Sequence, residues 1–437
     1  MILDKLLSHQ IVKDLSWVTI TQTLGNVLRF LMVFIVIRCY SQEEFGLWAT
    51  ITSVAAVIVT GDFGLTNVLR NIASEGLAKG EFGDKRTKEA YFSSVTFLFL
   101  FALMGIIILL LFRDVPLFES LFKTDNAILK EQGKNVILAV LCIFLLSLPL
   151  GLTGGLFLSY GEVKESSVIG IINSVLTFCI VIGLSIAHVR IDVVSVLYFL
   201  CSLFMGFVAT FYFLKKRGWS VEYLGVKKIY GYMCEMLPSG IAFLGIGFSS
   251  SFIPNVLTIY ASSMLGLSAA ANINVAQKIY TFFMSVLQSI YGPIWARLSM
   301  WFFTEEYVKC KQMLYKSLIA TVGISIFIVL ATSLLKDVLV YLIAGSGYEA
   351  NMLIFILVGG CLFSKVIFDN ASLLLIATSK LKLVASGYCL FCGVVFFLFP
   401  MIINVWGFNW MMVALICCWV IFIMVVLTYT FKFLIQR

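Results

Sequence analysis

The chain has 437 residues, of which 61% are hydrophobic and only 12% are charged, and its mean hydropathy is +1.03. A soluble domain has about 45–50% apolar and about 25% charged residues, so a soluble globular fold is excluded. The formal net charge of +8 matters less than where the basic residues lie. The composition predicts a polytopic membrane protein whose apolar surface faces lipid.

The first stretch, MILDKLLSHQIVKDLSW, mixes charges with apolar residues and has no small-residue cleavage site. A secretory signal peptide has an apolar core followed by such a site, so we expect none here. We predict that residues 1–14 form a cytoplasmic interfacial segment.

Apolar runs of sufficient length to cross a bilayer follow one another along the chain. A spanning helix needs roughly 20 mostly apolar residues. The sequence predicts twelve spans, at residues 15–37, 47–69, 90–112, 135–158, 167–187, 193–214, 236–260, 271–296, 314–335, 350–376, 384–405 and 410–431. The connections are too short to hold a separate domain.

Lysine and arginine are distributed unevenly between the predicted loops. If the N-terminus is cytoplasmic, 21 of the 31 basic residues, including Lys316 at the cytoplasmic end of span 314–335, fall on the cytoplasmic side, 7 fall outside and 3 lie deeper within spans. Loops rich in Lys and Arg stay in the cytoplasm. The sequence therefore predicts that both termini are cytoplasmic.

Two short similarities relate the halves of the chain. FGLWA at 45–49 resembles LGLSA at 265–269, and LFLSYGEVK at 156–164 resembles LLIATSKLK at 374–382. The displacements of 220 and 218 residues are each about half of the chain. Six spans per half give both halves the same orientation, as in transporters built from parallel repeats.

The predicted fold is therefore an all-α polytopic membrane protein with twelve transmembrane helices in two parallel six-helix halves around a central cavity. In transporters of this architecture the substrate site lies between the halves. The predicted segments after the N-terminal stretch are a first half at 15–214, a cytoplasmic linker at 215–235, a second half at 236–431 and a cytoplasmic tail at 432–437.

Charged side chains within the spans are the candidates for function. A charge at bilayer depth costs about 2.5–3.5 kcal/mol on insertion scales, so it usually faces a cavity or a partner. The intramembrane cations and the polar residues at helical spacing on the same helices are the predicted substrate-binding residues: Arg29, Lys278, Lys365, Asn26, Gln22, Asn274 and Gln288. The acids predicted to bind a coupling ion or to balance charge are Asp62 and Asp369. Three cations against two acids favour an anionic ligand such as a phosphate.

Other interpretations of these charges remain open. Lys365 and Asp369 are four residues apart and can simply neutralise each other on one helix face. Asp62 lies close to the cytoplasmic end of its span and can be interfacial. Arg29 can extend to the outer interface, although its polar stripe favours a cavity. Neither Arg29 nor Lys278 has an acidic residue three or four positions away on its helix.

Motifs for catalysis are missing from the sequence. It has no GxxxxGK phosphate loop, so we expect no ATP hydrolysis. The two histidines, His9 and His188, are far apart, and most of the eleven cysteines, including the pair in CLFC at 389–392, lie in apolar runs. We therefore expect no metal and no cofactor. The pattern favours transport over catalysis, and we predict that the protein is not an enzyme.

The segment at 40–74 resembles the first external loop and second span of bacterial polysaccharide flippases. Those proteins typically carry a Ser/Gly-x-Glu-x-Phe/Tyr-Gly-Leu pattern, followed by a glycine-containing segment before a basic cytoplasmic loop. The matching residues are Ser41, Glu43, Phe45, Gly46, Leu47, Asp62, Gly64, Leu65 and Asn67. LSYGEVKESSVIGIINSVL at 158–176 and LPSGIAF at 237–243 resemble further segments of the same family.

The resemblance implies an O-antigen (Wzx-type) flippase of the multidrug/oligosaccharidyl-lipid/polysaccharide exporter superfamily. Such a protein moves undecaprenyl-pyrophosphate-linked repeat units from the inner to the outer leaflet of the bacterial cytoplasmic (inner) membrane by alternating access, with Na⁺ or H⁺ as the proposed coupling ion. A cationic cavity holds the pyrophosphate in this family, a role that Arg29, Lys278 and Lys365 suit. The implied partners are membrane lipids, a glycan polymerase and a chain-length regulator, without nucleic acid.

Three other functions were weighed against this resemblance. A drug/cation antiporter of the same superfamily requires an acidic cavity, whereas the intramembrane cations here exceed the acids. A lipid II flippase usually has fourteen spans rather than twelve. A membrane glycan polymerase needs larger external loops. The sequence leaves open whether the surface glycan is O-antigen, capsule or another polymer.

Overall fold

The computed structural model describes residues 2–58, 61–79, 81–115, 120–220, 224–289, 304–345, 351–377 and 381–435, with isolated positions at 291, 294–295, 298, 301–302 and 348. Almost all of these residues are helical, and no strand occurs among them. The α-helices formed within these ranges are α1 Ile2–Cys39, α2 Gln42–Ile58, α3 Leu65–Lys79, α4 Glu81–Leu111, α5 Ala127–Ser159, α6 Val163–Ile186, α7 Ile191–Arg217, α8 Val226–Tyr260, α9 Leu267–Ser289, α10 Tyr307–Leu334, α11 Lys336–Ala344, α12 Met352–Ala377, α13 Leu381–Trp406 and α14 Phe408–Ile435.

The described part of each predicted span is largely helical, which confirms an all-α polytopic fold; residues 59–60, 290, 292–293, 296 and 350 of these spans lie outside the described residues. By length and composition alone, eight helices in the described part of the chain can cross a membrane: α4, α5, α6, α7, α10, α12, α13 and α14. The other predicted spans lie in α1, in α2 with α3, in α8 and in α9. Three of these four regions carry the predicted site residues Arg29, Asp62 and Lys278.

The predicted span 47–69 is not one helix. It consists of the end of α2 and the beginning of α3, separated by a turn in which Phe63 and Gly64 have φ angles of 53° and 67°. A helix cannot continue through left-handed residues. The Asp62 carboxylate then accepts from the backbone N–H groups of Gly64, at 2.9 Å, and Thr66, at 3.2 Å, at the start of α3. These bonds satisfy helix donors that have no partner within the helix.

The chain divides into two compact units. Unit 1 comprises residues 1–251 and 262–267, and unit 2 comprises residues 252–261 and 268–437. The sequence repeat places the boundary between the two halves at the linker 215–235. This boundary stays a prediction. The first part of α8 belongs to unit 1.

Within unit 1, α6 packs along α1 and α7 packs along α5. α3 packs on α4 and α5, and these helices enclose an apolar core that includes Tyr91, Phe157, Phe213 and Trp219. At the basic end of α7, Arg217 lies 3.8 Å above the ring of Tyr160 and donates to Glu162. The cation is therefore placed by both an aromatic face and a carboxylate.

The first copy of the repeated motif contacts the part of the second copy that belongs to unit 1. Gly46, in FGLWA, lies so close to Leu267, in LGLSA, that an added Cβ would be 2.0 Å from the carbonyl oxygen of Leu267. Lys123 binds to the same segment. Its backbone carbonyl accepts a hydrogen bond from the backbone N–H of Leu267, and its Nζ donates to the carbonyl of Met264, at 2.8 Å. The glycine is required here because only hydrogen fits between the two backbones.

Unit 2 is built around α12, the most deeply buried of the eight apolar helices. α12 packs on α14 and α10, and α13 packs on α14. Asn370 on α12 accepts from Ser317, at 3.1 Å, and donates to Thr321, at 3.0 Å, both on α10. These buried hydrogen bonds fix the rotation of α12 and therefore the direction of its neighbouring polar side chains.

Candidate functional site

Arg29 lines a polar cavity of about 270 Å³ inside unit 1. α1 supplies the guanidinium, and α6 and α7 supply hydroxyl and amide groups: Asn173, Ser174, Thr177, Tyr198 and Ser202. α1 and α6 approach closely here, since a Cβ at Gly25 would be 3.3 Å from Ser174 Oγ. The cavity offers a fixed positive charge surrounded by neutral hydrogen-bonding groups, which suits an anionic oxygen-rich ligand.

The polar stripe on α1 is only partly described. Asn26 is half-buried one turn before Arg29. Gln22 is helical, but its side chain lies outside the part of the structure that is described. The assignment of both residues to the substrate site stays a prediction.

Asp62 lines a second cavity of unit 1, of about 450 Å³. Tyr198 and Ser202 on α7 line this cavity as well as the Arg29 cavity. The carboxylate is engaged at the start of α3 by Gly64 and Thr66. Asp62 therefore has a local structural role, and its predicted role in ion coupling remains a prediction.

The charged pair on α12 forms a polar cluster inside unit 2. Lys365 Nζ donates to Asp369 Oδ2 at 2.8 Å, and the two side chains are 6% and 21% exposed. Gln288, near the end of α9, donates to the same oxygen at 3.4 Å. Tyr388 on α13 donates its hydroxyl to Asp369 Oδ1 at 2.5 Å. Three predicted site residues thus come together, and a tyrosine joins them.

Asn274 lies in a different buried network of unit 2. Its Nδ2 donates to Thr258 Oγ1 at 3.3 Å, and Thr258 in turn donates to Gln277 Oε1 at 2.5 Å. Gln277 continues the chain to the carbonyl of Pro254 on α8, at 2.9 Å. Asn274 is 2% exposed and its Oδ1 has no hydrogen-bond partner within the described structure. Lys278, half-buried, follows one turn later on α9.

Sequence reasoning missed several polar residues of these clusters. Asn173 and Thr177 on α6, and Tyr198 and Ser202 on α7, are each four positions apart, so helical periodicity could have identified them as lining residues. Tyr388 gives no such signal, because an aromatic residue in an apolar run is indistinguishable from a lipid-facing or core residue. Only the packing of α13 against α12 reveals its contact with Asp369.

The described residues contain no group of three or more His, Cys, Asp or Glu side chains that could hold a metal ion.

Outside the predicted spans, ion pairs connect the beginning of α8 to α4 within unit 1. Lys228 lies 2.7 Å from Glu89, and Arg86 pairs with Glu235. Burial, together with the Glu89 carboxylate that accepts its proton, raises the pKa of Tyr232 to about 12.

A family described as "Polysaccharide biosynthesis protein" matches residues 11–299 of this chain. No curated protein sequence matches the chain. The family match covers the whole of the first predicted half, the predicted linker and the beginning of the second half.

Solved structures of similar fold cover nearly the whole chain. An inward-facing multidrug resistance MATE family transporter of the MOP superfamily has a TM-score of 0.70 at 12% identity, over 96% of this chain and 98% of that one. The lipid II flippase MurJ in an inward closed conformation has a TM-score of 0.67 at 14% identity, over 95% and 87%. A MOP superfamily transporter from Pyrococcus furiosus, reported with a binding pocket of reverse polarity, has a TM-score of 0.57 at 13% identity, over 97% and 95%.

These likenesses establish the fold, which is that of MOP superfamily transporters. The predicted resemblance to polysaccharide exporters of this superfamily is thereby confirmed, and the twelve-span architecture agrees with it. The solved structures are transporters and a flippase rather than enzymes.

Proposed function

The chain belongs to the polysaccharide biosynthesis protein family, and from this premise we propose that it is a flippase for undecaprenyl-pyrophosphate-linked sugar repeat units. It moves O-antigen or related repeat units from the inner to the outer leaflet of the bacterial cytoplasmic membrane by alternating access. Both termini lie in the cytoplasm. A glycan polymerase and a chain-length regulator act on the product, and surrounding membrane lipids accommodate the polyprenyl tail.

The cavity around Arg29 is the observation that carries this proposal. A pyrophosphate presents several anionic oxygens, and the planar guanidinium binds two such oxygens at once. The amide and hydroxyl groups of Asn173, Ser174 and Ser202 in the same cavity supply further donors. A hydrophobic cationic drug would instead require an acidic cavity.

Lys365 supplies a second cation, which is buried, on α12 of unit 2. Its ion pair with Asp369 keeps the charge balanced when no substrate is bound. In the proposed function the remaining predicted residues, Lys278, Gln22, Asn26, Asn274 and Gln288, contribute to binding of the head group. Asp62 and Asp369 are the candidates for binding the coupling ion, Na⁺ or H⁺.

The proposal is tested by deleting the gene in its host and extracting lipid-linked oligosaccharides. We expect a complete undecaprenyl-linked repeat unit to accumulate on the cytoplasmic side while surface polysaccharide disappears. Restoring the wild-type gene should reverse both changes. Restoring an Arg29→Ala variant should not, whereas Arg38→Ala, a change on the same helix outside the cavity, should restore export.

A drug/cation antiporter is the alternative that the same experiment addresses. Unchanged surface polysaccharide and unchanged lipid-linked intermediates in the deletion strain, together with increased sensitivity to cationic drugs, would contradict the flippase proposal. The antiporter would then be the better explanation of the fold.

A further inference from the structure

The carboxylate of Asp369 accepts hydrogen bonds from three side chains on three helical segments. Lys365 and Gln288 donate to Oδ2, at 2.8 and 3.4 Å, and Tyr388 donates to Oδ1 at 2.5 Å. All of these groups belong to unit 2. Both carboxylate oxygens are therefore engaged by N–H or O–H donors, and one of the donors is a cation.

Tyr388 is fixed in place by aromatic neighbours. Its ring packs edge-on against Phe368, with ring centroids 5.1 Å apart, and against Trp419, at 6.1 Å. Trp419 itself stacks on Phe391 at 4.3 Å. Because Phe368 and Trp419 fix the orientation of the Tyr388 ring, its hydroxyl points at Asp369 and the side chain loses no further conformational freedom when it donates. Tyr388 is a positioning residue for the carboxylate.

Lys365 depends on Asp369 for charge balance. Its side chain is 6% exposed, and Asp369 is the carboxylate with which it forms an ion pair in the described structure. A buried ammonium without a counter-ion is strongly unfavourable. If the carboxylate became neutral, Lys365 would require another anion.

Few other ionisable groups face Asp369 from the packed helices. On its own helix the charged neighbour is Lys365, and Tyr388 approaches from α13. Tyr291 lies nearby and donates to the carbonyl of Val366 at 3.0 Å. α10 presents the neutral Ser317 and Thr321 beside Asn370, and the charge on α14 is Lys432, in its last turn.

A proton fits this arrangement and a sodium ion does not. A hard metal cation requires about six oxygen ligands with their lone pairs directed at it. The side chains of Lys365, Gln288 and Tyr388 instead direct N–H and O–H hydrogens at Asp369, and the ammonium of Lys365 would repel a second cation. A proton needs only one carboxylate oxygen: it removes the negative charge and displaces a donor from the oxygen to which it binds.

We propose that Asp369, Lys365 and Tyr388 form a proton-binding site in which protonation of Asp369 makes Lys365 available to an anionic head group. The inference rests on the proposed function, because that function supplies the phosphate-bearing ligand. The step is a proton transfer from a hydronium ion: one O–H bond of hydronium breaks to leave water, one O–H bond forms on the Asp369 carboxyl group, and the ammonium of Lys365 keeps its protons.

The site is then electrically balanced both with and without a ligand. Without a ligand, the Asp369 carboxylate balances Lys365. With a ligand, the protonated acid is neutral and a phosphate oxygen balances Lys365 instead. Since linkage is reciprocal, proton binding strengthens anion binding by the same factor by which anion binding strengthens proton binding.

Proton binding can be measured without any substrate. The full-length protein in lipid nanodiscs is examined by pH-difference infrared spectroscopy between neutral and acidic pH. We expect a protonated-carboxyl band that disappears in Asp369→Asn. In Tyr388→Phe the carboxylate loses a stabilising donor, so the same band should appear at higher pH, with about tenfold tighter proton binding.

The matched control is Tyr280→Phe, which removes another buried hydroxyl of unit 2. Tyr280 donates to the carbonyl of Phe355 at 3.0 Å and accepts from Thr332, so its partners carry no charge. This variant should leave the midpoint of the Asp369 band unchanged. An equal shift in both tyrosine variants would indicate a general packing effect and would overturn the role assigned to Tyr388.

Anion linkage is measured with undecaprenyl pyrophosphate as the probe in the same nanodiscs, in Na⁺-free and Na⁺-containing buffers of equal ionic strength. The wild-type protein should bind more tightly as pH falls. Asp369→Asn should bind roughly tenfold more tightly than wild type at high pH and lose most of the pH dependence. Lys365→Gln should bind weakly at every pH, and Na⁺ should have no effect.

The outcomes separate this inference from the proposed function. If the wild type binds no undecaprenyl pyrophosphate but the Asp369 band titrates as described, the proposed function fails and proton binding stands. If binding occurs with the same pH dependence in Asp369→Asn, the linkage is wrong and the pair is structural. Binding that requires both Na⁺ and Asp369 would identify sodium as the ligand and would also overturn the proposal.

Discussion

The positive charge of Arg29 opposes insertion of α1 into the membrane but favours binding of an anionic ligand. An arginine at bilayer depth costs about 2.5–3.5 kcal/mol on insertion scales, yet its cavity in unit 1 holds no acidic lining residue among those described. Replacing Arg29 by Ala should therefore leave the amount of protein in the membrane unchanged or increased. Loss of export after this substitution would then reflect loss of binding rather than loss of folding.

The size of the effect on export follows from the chemistry of the guanidinium. A hydrogen bond to a charged group contributes about 1.5–3 kcal/mol, so Arg29→Ala should lower the flipping rate by about tenfold to about 150-fold. Arg29→Lys should recover part of this loss, because it keeps the charge but not the planar fork. The measurement is the transfer rate of a labelled lipid-linked oligosaccharide in proteoliposomes. Equal rates in wild type and Arg29→Ala would remove Arg29 from the binding site.

At the scale of elements, the turn between α2 and α3 depends on glycine. Gly64 has a φ of 67°, and a Cβ there would lie 2.2 Å from the carbonyl oxygen of Gly240 on α8. A left-handed non-glycine residue costs about 1–3 kcal/mol even without a clash. Gly64→Ala should thus destabilise the protein by more than about 2 kcal/mol, measured by thermal unfolding in detergent. Gly183→Ala on α6, where a Cβ meets nothing within 4 Å, is the matched control and should be neutral or stabilising.

The contact between α8 and α4 contains two ion pairs of different burial. Arg86 and Glu235 are 41% and 54% exposed at their side chains, whereas the side chain of Glu89, paired with Lys228, is 9% exposed. Exposed pairs contribute about 0–1 kcal/mol. Glu89 also accepts from Tyr232 at 2.9 Å, and loss of such bonds to a charged group costs about 1.5–3 kcal/mol. Glu89→Gln should therefore lower the unfolding temperature more than Glu235→Gln, and the reverse order would contradict this assignment.

The elements also indicate where sequence reasoning succeeds and where it fails. The hydropathy pattern predicted spans whose described residues are largely helical, because the length of an apolar run is a local property of the sequence. It could not detect the break at Phe63 and Gly64, since backbone angles do not alter hydropathy. Lys365 and Asp369 were paired correctly from their spacing on one helix. Tyr388 was missed because its contact depends on the register between α12 and α13, which no local pattern encodes.

At the scale of the whole molecule, the number of membrane crossings decides the sidedness of every loop. Within the part of the chain that the structure describes, eight helices satisfy length and composition alone, whereas the twelve-span architecture also includes α1, α2 with α3, α8 and α9. Eight and twelve crossings both leave the two termini on the same side of the membrane, so reporters fused to the termini cannot distinguish the two topologies. The turn at 40–41, between α1 and α2, does separate them, because it lies outside only if α1 crosses the membrane.

An epitope inserted at this turn should therefore be accessible to an impermeant antibody from the periplasmic side. Insertions at Asp125, before α5, and at Gly225, before α8, are the outside and inside controls, since their sidedness is the same for both counts. The loop after α3, with its basic residues, is cytoplasmic for both counts, so charge bias does not distinguish them and the epitope at 40–41 does. An epitope at 40–41 that is reached only after the membrane is permeabilised would show that α1 does not cross. Arg29 would then lie outside the bilayer, and the flippase proposal would lose the cavity that carries it.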